Sequence, residues 1–112
     1  MAQPFKVEVE RREHYAIVRP AGELDLAAVE AFEQTLSALE HEFGELVIDL
    51  RAIEFLDSTG LRALVAADAR SRSNGSKLRI INGGEPVRKV LSLTGMDNHL
   101  PLIDPNKLGG MG

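Results

Sequence analysis

The chain has 112 residues, 44% of them hydrophobic and 27% charged, which is enough for one domain with a real core and too little for two. It contains no cysteine, which excludes disulfides, thiolate catalysis and cysteine-ligated metal, and its net charge of −4 argues against a nucleic-acid binder. No apolar run approaches the roughly 20 residues that span a bilayer, and MAQPFKVEVERR lacks the apolar centre of a signal peptide, so a cytoplasmic protein with no membrane partner is expected.

FKVEVE alternates strictly, with Phe5, Val7 and Val9 on one face and Lys6, Glu8 and Glu10 on the other, which predicts a half-buried strand. After a polar turn at Glu13-His14, YAIVRP predicts a second strand ending at Pro20, paired with the first as a hairpin, and Ala21-Gly22-Glu23 predicts a loop. From Asp25 the period changes. Leu26, Val29, Phe32, Leu36, Leu39 and Phe43 recur at spacings of three and four, so an amphipathic helix is expected with these six side chains buried. Asp25 stands where an N-cap belongs, and Gly44 where a left-handed C′ residue would end the helix.

ELVIDL (Glu45 to Leu50) is a short apolar run between turn signals, as expected of a central strand. A connecting segment leads to a second helical pattern, with Leu61, Leu64, Val65 and Ala69 on one side, ended by Ser73-Asn74-Gly75-Ser76. KLRII (Lys77 to Ile81) is the next strand and Asn82-Gly83-Gly84 the next loop. Pro86 suits the first turn of a third helix that carries Val87, Val90 and Leu91 and stops at Gly95. PLID (Pro101 to Asp104) predicts a short last strand. Residues 3–104 are therefore read as one domain and 105–112 as a flexible C-terminal tail.

The order β-β-α-β-α-β-α(-β) predicts an α/β fold with a mixed four- to five-stranded sheet and packed helices. Right-handed crossovers make the second, third and fourth strands parallel, with the first antiparallel at the side. The loops Gly22–Asp25, Asp57–Gly60 and Asn82–Gly84 should then share the carboxyl edge of the sheet, where open α/β sheets place their sites.

The chemistry offered there is limited. A serine hydrolase needs G-x-S-x-G with an acid and a histidine, but Leu56 to Gly60 reads L-D-S-T-G, and His14, His41 and His99 all fall outside the three loops. An aspartic-protease turn needs Asp-Thr-Gly or Asp-Ser-Gly in an all-β body, and Asp57 is followed by two hydroxyl residues in a helical context. Asp25, Asp49 and Asp57 show no metal-ligand spacing. The simpler account caps one helix with Asp25 and another with Asp57 or Ser58, and pairs Asp49 within the sheet. Gly83-Gly84 lacks the partners of a phosphate loop. No catalytic set, metal or cofactor is expected, and the chain reads as a non-enzyme. Ser58 remains as either a plain helix cap or a regulatory phosphoserine, and on these residues alone the cap is the more economical reading.

VIDLRAIEFLDSTGLRALVAA (Val47 to Ala67) resembles the signature of the STAS domain, specifically of bacterial anti-sigma factor antagonists, and GELDLAAVEAFEQTL (Gly22 to Leu36) resembles that family's other recurring stretch. The resemblance covers Phe5 to Ile103. It implies regulation of transcription by partner switching. The unphosphorylated antagonist binds an anti-sigma factor and frees the sigma factor, the anti-sigma factor acts as an ATP-dependent serine kinase on the antagonist, and a serine phosphatase resets it. Position by position, Ser58 matches the phosphoacceptor, Thr59 a second hydroxyl and Asp25 the acidic residue of the neighbouring loop. The partner-binding surface is expected at Asp25, Asp57, Ser58, Thr59, Gly60 and Leu61, with Gly60 giving a kinase close access to the backbone. The family commonly closes with a further amphipathic helix, a pattern DPNKLGGMG does not carry. That departure is expected to bear on stability or partner range rather than on Ser58. The alternative from another class is a constitutive STAS scaffold or ligand-binding module in a larger signalling or lipid-transport assembly.

Overall fold

The alternation of the first strand translates directly into structure. In the computed structural model, which describes residues 4–106, β1 (Lys6–Arg11) lies antiparallel to β2 (Ala16–Leu24), with Val9 opposite Val18. There follow α1 (Val29–Glu42), β3 (Glu45–Asp49), β4 (Ile53–Leu56), α2 (Ser58–Asn74), β5 (Lys77–Ile81), α3 (Glu85–Thr94), a short 3-10 turn at Met96–Asn98 and β6 (Leu102–Ile103). Strands β2, β3, β5 and β6 run parallel in the order β1-β2-β3-β5-β6, as right-handed crossovers require.

The sheet has six strands, because the segment expected to be a plain connection contains β4, which pairs with β2 off the main path. Its four residues carry no alternation, with Ile53 and Leu56 buried and Glu54 and Phe55 exposed, so no period of two announces it. It can form because β2 does not end at Pro20. The strand pairs with β3 only over Ala16–Val18, then continues through a register shift at Gly22, whose φ of 95° is open to glycine, and pairs with β4 as far as Leu24. The expected Ala21–Glu23 loop is thus the second half of a strand that changes partners.

The helices cover one face. Phe32, Leu36 and Leu39 from α1, Ala63, Leu64 and Ala67 from α2, and Val87 and Leu91 from α3 pack with Val18, Ile48 and Ile80 of the sheet. Each such side chain contributes roughly 1.5–3 kcal/mol when fully buried, which makes this layer the main source of stability. Two expected helix stripes shift. Leu26 is 72% exposed because the helix begins only at Val29, after a turn. In α2 the buried residues are Gly60, Ala63, Leu64, Ala67 and Asp68, whereas Val65 and Ala69 face outward. The small residues let the helix lie close to the sheet. Gly44 is not left-handed either: Phe43, in an extended conformation, closes α1, and the left-handed helix ends are Gly75 and Gly95.

On the other face Ile17, Val47 and Ile81 form a smaller apolar cluster with Tyr15 and Ile103. Asp49 is buried beside it, as the sheet pairing expected. Arg51 donates from Nη2 at 2.8 Å and from Nε at 3.0 Å, and Arg19 lies 3.5 Å away. Burial by itself pushes this carboxyl up, but the Arg51 hydrogen bonds outweigh it and hold the group below the usual carboxylate range. Of the tail expected from 105 onward, residues 107–112 lie outside the described residues.

Candidate functional site

The parallel pairing of β2 with β4 builds the site. Because Leu24 stands opposite Leu56 at the ends of the two strands, the next residues, Asp25 and Asp57, emerge side by side. The Asp57 N–H donates to the Leu24 carbonyl at 3.4 Å, tying the two exits together. Gly60 completes the junction. A Cβ there would come closer to the Leu24 carbonyl oxygen than van der Waals contact allows and stand 2.7 Å from Leu56 Cδ1, so the first turn of α2 reaches β2 only with glycine at this position. Gly60 is buried, and its missing side chain serves this inward contact rather than outward access for a kinase.

The cap of α2 is Asp57 and not Ser58. Asp57 is extended, and its Oδ1 accepts from the Gly60 N–H at 3.0 Å and from the Thr59 hydroxyl at 2.5 Å. The Thr59 hydroxyl, then the Gly60 N–H, favour the ionised form and hold the Asp57 carboxyl below its ordinary range. Thr59 is half-buried and its hydroxyl is committed to this bond. Ser58 is the first residue of the helix and is exposed, and its hydroxyl makes no hydrogen bond among the described residues. Leu61 is half-buried and packs on the core.

Across the junction Asp25 is half-buried, and its Oδ1 accepts from the Ala28 N–H at 3.1 Å. It therefore caps the turn that precedes α1, while Ala28, at the helix start itself, makes no side-chain cap. The third expected loop lies on the same carboxyl edge, behind β3. Gly83 is packed against the Leu50 carbonyl oxygen at the end of β3, where a Cβ would stand 2.7 Å from it. Two exposed apolar side chains outside the expected surface flank the junction in sequence. Leu26, just past Asp25, and Phe55, two residues before Asp57, are 72% and 47% exposed. Leu26 was hidden by its fit to the helical period, and Phe55 by the absence of any strand period in β4.

All three histidines lie at the opposite, amino edge: His14 precedes β2, His41 is in the last turn of α1 beside the start of β3, and His99 precedes β6. None can reach Ser58 as a general base, a step that needs contact at about 3 Å or through one water. Among the described residues no group of three His, Cys, Asp or Glu side chains is placed to hold a metal ion, and no helix is long and apolar enough to cross a membrane.

Comparison with known proteins agrees with this architecture. The STAS domain family matches residues 6–106. The anti-sigma-F factor antagonist RsfB of Mycobacterium tuberculosis is 32% identical over 106 residues, spanning 92% of this chain and 86% of the relative. The anti-sigma-B factor antagonist of Bacillus subtilis is 28% identical over 82% of this chain and 84% of its own length. Among solved structures, an anti-sigma factor antagonist from Mycobacterium paratuberculosis superposes with a TM-score of 0.78 at 32% identity, over 91% of this chain and 86% of that one. The unphosphorylated form of the antagonist SpoIIAA shares the fold, with a TM-score of 0.76 at 20% identity over 96% and 93% of the two chains. The chain belongs to the STAS domain family.

Proposed function

We propose that this chain is an anti-sigma factor antagonist that regulates transcription by partner switching, with Ser58 as the residue whose phosphorylation releases the partner. The observation that carries the reading is the division of labour at the start of α2. Asp57 takes the cap, so the Ser58 hydroxyl stands exposed and free on a rigid junction. The names of the relatives at 32% and 28% identity support the same role. The partner is an anti-sigma factor that doubles as the serine kinase, and a serine phosphatase reverses the modification. In this role the chain is a substrate and a ligand rather than an enzyme.

The physics of the switch follows from the site. Phosphate adds about −1.5 to −2 charge. At a helix N-terminus it meets free N–H groups and a favourable dipole of roughly 0.3–1 kcal/mol, while the neighbouring Asp57 carboxylate opposes it by a comparable amount. The fold should therefore change little. In an interface the balance differs, because burying an unpaired charge or setting like charges together costs several kcal/mol. The exposed Leu26 and Phe55 supply apolar contact on this surface, and the added charge at Ser58 would make the desolvation of that contact unfavourable. Thr59, whose hydroxyl is held by Asp57, is the poorer acceptor of the two.

The test is incubation with the anti-sigma kinase and ATP, followed by mapping of the phosphate and far-UV circular dichroism. Phosphate on Ser58 with unchanged helix content is the expected result. Phosphate mainly elsewhere, or a clear loss of helix, would overturn the assignment.

A further inference from the structure

The amino edge, a strand's length from Ser58, carries an unused binding feature in β5. This strand pairs with β3 along its whole length, from Lys77 opposite Glu45 to Ile81 opposite Asp49, but with β6 only through Ile80 and Ile81. Backbone groups along a strand point alternately to its two neighbours. The Ile80 N–H donates to the Pro101 carbonyl at 2.9 Å, on the β6 side, and the Lys77 N–H donates to the Gly44 carbonyl at 2.9 Å, towards β3. Leu78, two residues before Ile80, must therefore turn both its N–H and its C=O towards β6. No strand lies there, and among the described residues neither group has a partner. It is a ready pair of bonds for an added strand.

The surroundings say what kind of strand. An open cleft of about 400 Å³ runs along this free edge, with walls that include Arg72, Lys77, Arg79 and His99. Arg72 pairs with the buried Asp68 at 2.7 Å, and Arg79 lies 3.4 Å from Glu45. Lys77 has no ion-pair partner among the described residues, so the cleft keeps a cationic excess on a chain of net charge −4. It is also blind at one end. Next to Ile80 the edge is filled by Pro101, so an added strand that enters from the amino edge must stop beside Leu78. A strand parallel to β5 would stop there with its C-terminal carboxylate, and an antiparallel one with its N-terminal ammonium. The cations around the cleft favour the carboxylate.

We propose that the free edge at Leu78 is a second docking site, which takes the extended C-terminus of a partner polypeptide parallel to β5, clamped by the Leu78 backbone with its terminal carboxylate among Lys77, Arg72 and His99. The site does not depend on the Ser58 reading. Because it lies at the opposite edge of the sheet, both partners can bind at once.

The probe is a short extended peptide, Ala-Val-Glu-Val, with a free C-terminal carboxylate, compared with the same peptide as its C-terminal amide. It is titrated into the full 15N-labelled chain by heteronuclear NMR. The Leu78 amide resonance should shift on binding the free acid, and its hydrogen exchange should slow. The amide should bind roughly tenfold more weakly, the scale of a lost charge-assisted hydrogen bond. Lys77→Glu, at an exposed position, should weaken the free acid to a similar degree while leaving the spectrum of the unliganded fold intact. No shift at Leu78 with the free acid, equal binding of acid and amide, or the same shift from acetate alone would each overturn the proposal.

Discussion

The two helices that leave the carboxyl edge side by side begin in different ways. Both are preceded by an aspartate whose Oδ1 accepts the N–H three residues on, at 3.0 Å from Gly60 to Asp57 and at 3.1 Å from Ala28 to Asp25. After Asp57 the helix starts at once, because Gly60 packs directly on the Leu24 carbonyl and draws α2 against β2. After Asp25 the chain passes through a turn first, the helix begins at Val29, and Leu26 is left pointing outward. The same cap chemistry thus has two outcomes, and the residue packed behind the cap decides between them. The first yields a rigid platform that displays a hydroxyl. The second yields an exposed apolar side chain beside it.

The sharpest way to break this contrast is at Gly60. Gly60→Ala inserts a methyl group against a backbone oxygen that cannot yield, and should destabilise the fold by about 3 kcal/mol in urea unfolding. If the stability is unchanged, the close approach of α2 to β2 is not the feature that fixes the platform.

Next in size is Ser58→Asp. Affinity for the anti-sigma partner should fall on the order of a hundredfold, about 2.7 kcal/mol, with the free energy of unfolding held within about 0.5 kcal/mol. Ser58→Ala should bind normally and resist phosphorylation. Partner affinity measured by calorimetry for both variants separates an effect of charge from an effect of the hydroxyl.

Asp57→Ala removes the side-chain cap and should cost about 1–2 kcal/mol of stability. Asp57 also contributes to the acid limb of the stability curve. Its folded-state pKa lies below the ordinary value because the Thr59 hydroxyl and the Gly60 N–H favour the carboxylate. Its contribution is therefore full above the ordinary value and is lost as the pH falls through the lowered one, below about pH 4. Asp57→Asn should flatten that part of the curve in pH-dependent thermal unfolding. An unaltered acid limb would assign it to other carboxylates, of which Asp49, also lowered, is the first to test.

Leu26→Ala is the smallest change to the fold and tests the other half of the contrast. Stability should stay within about 0.5 kcal/mol, since the side chain is 72% exposed, while partner affinity falls roughly tenfold. An equal loss of stability and affinity would return Leu26 to a packing role.

What the sequence by itself determined was the part governed by local periodicity. The alternation of FKVEVE, the three-four spacing from Val29 to Leu39 and the apolar run of ELVID dictate elements that any compact arrangement must use, and their order forces parallel strands and a shared carboxyl edge. Asp25 was legible as a cap and Asp57 or Ser58 as the cap of the next helix. The stretch from Asp57 to Gly60 stood out by its match to the antagonist signature rather than by its residue types, which a plain cap explains equally well. The tertiary structure decided what depends on neighbours distant in sequence. Strand β4 exists because Gly22 lets β2 change partners, and no pattern within IEFL predicts that. The choice of Asp57 over Ser58 as the cap, and with it the freedom of the Ser58 hydroxyl, rests on Gly60 meeting Leu24 across 36 positions of chain (60 − 24). Period and propensity act over a few residues, whereas exposure of a hydroxyl, a leucine or a strand edge is set by what packs behind it.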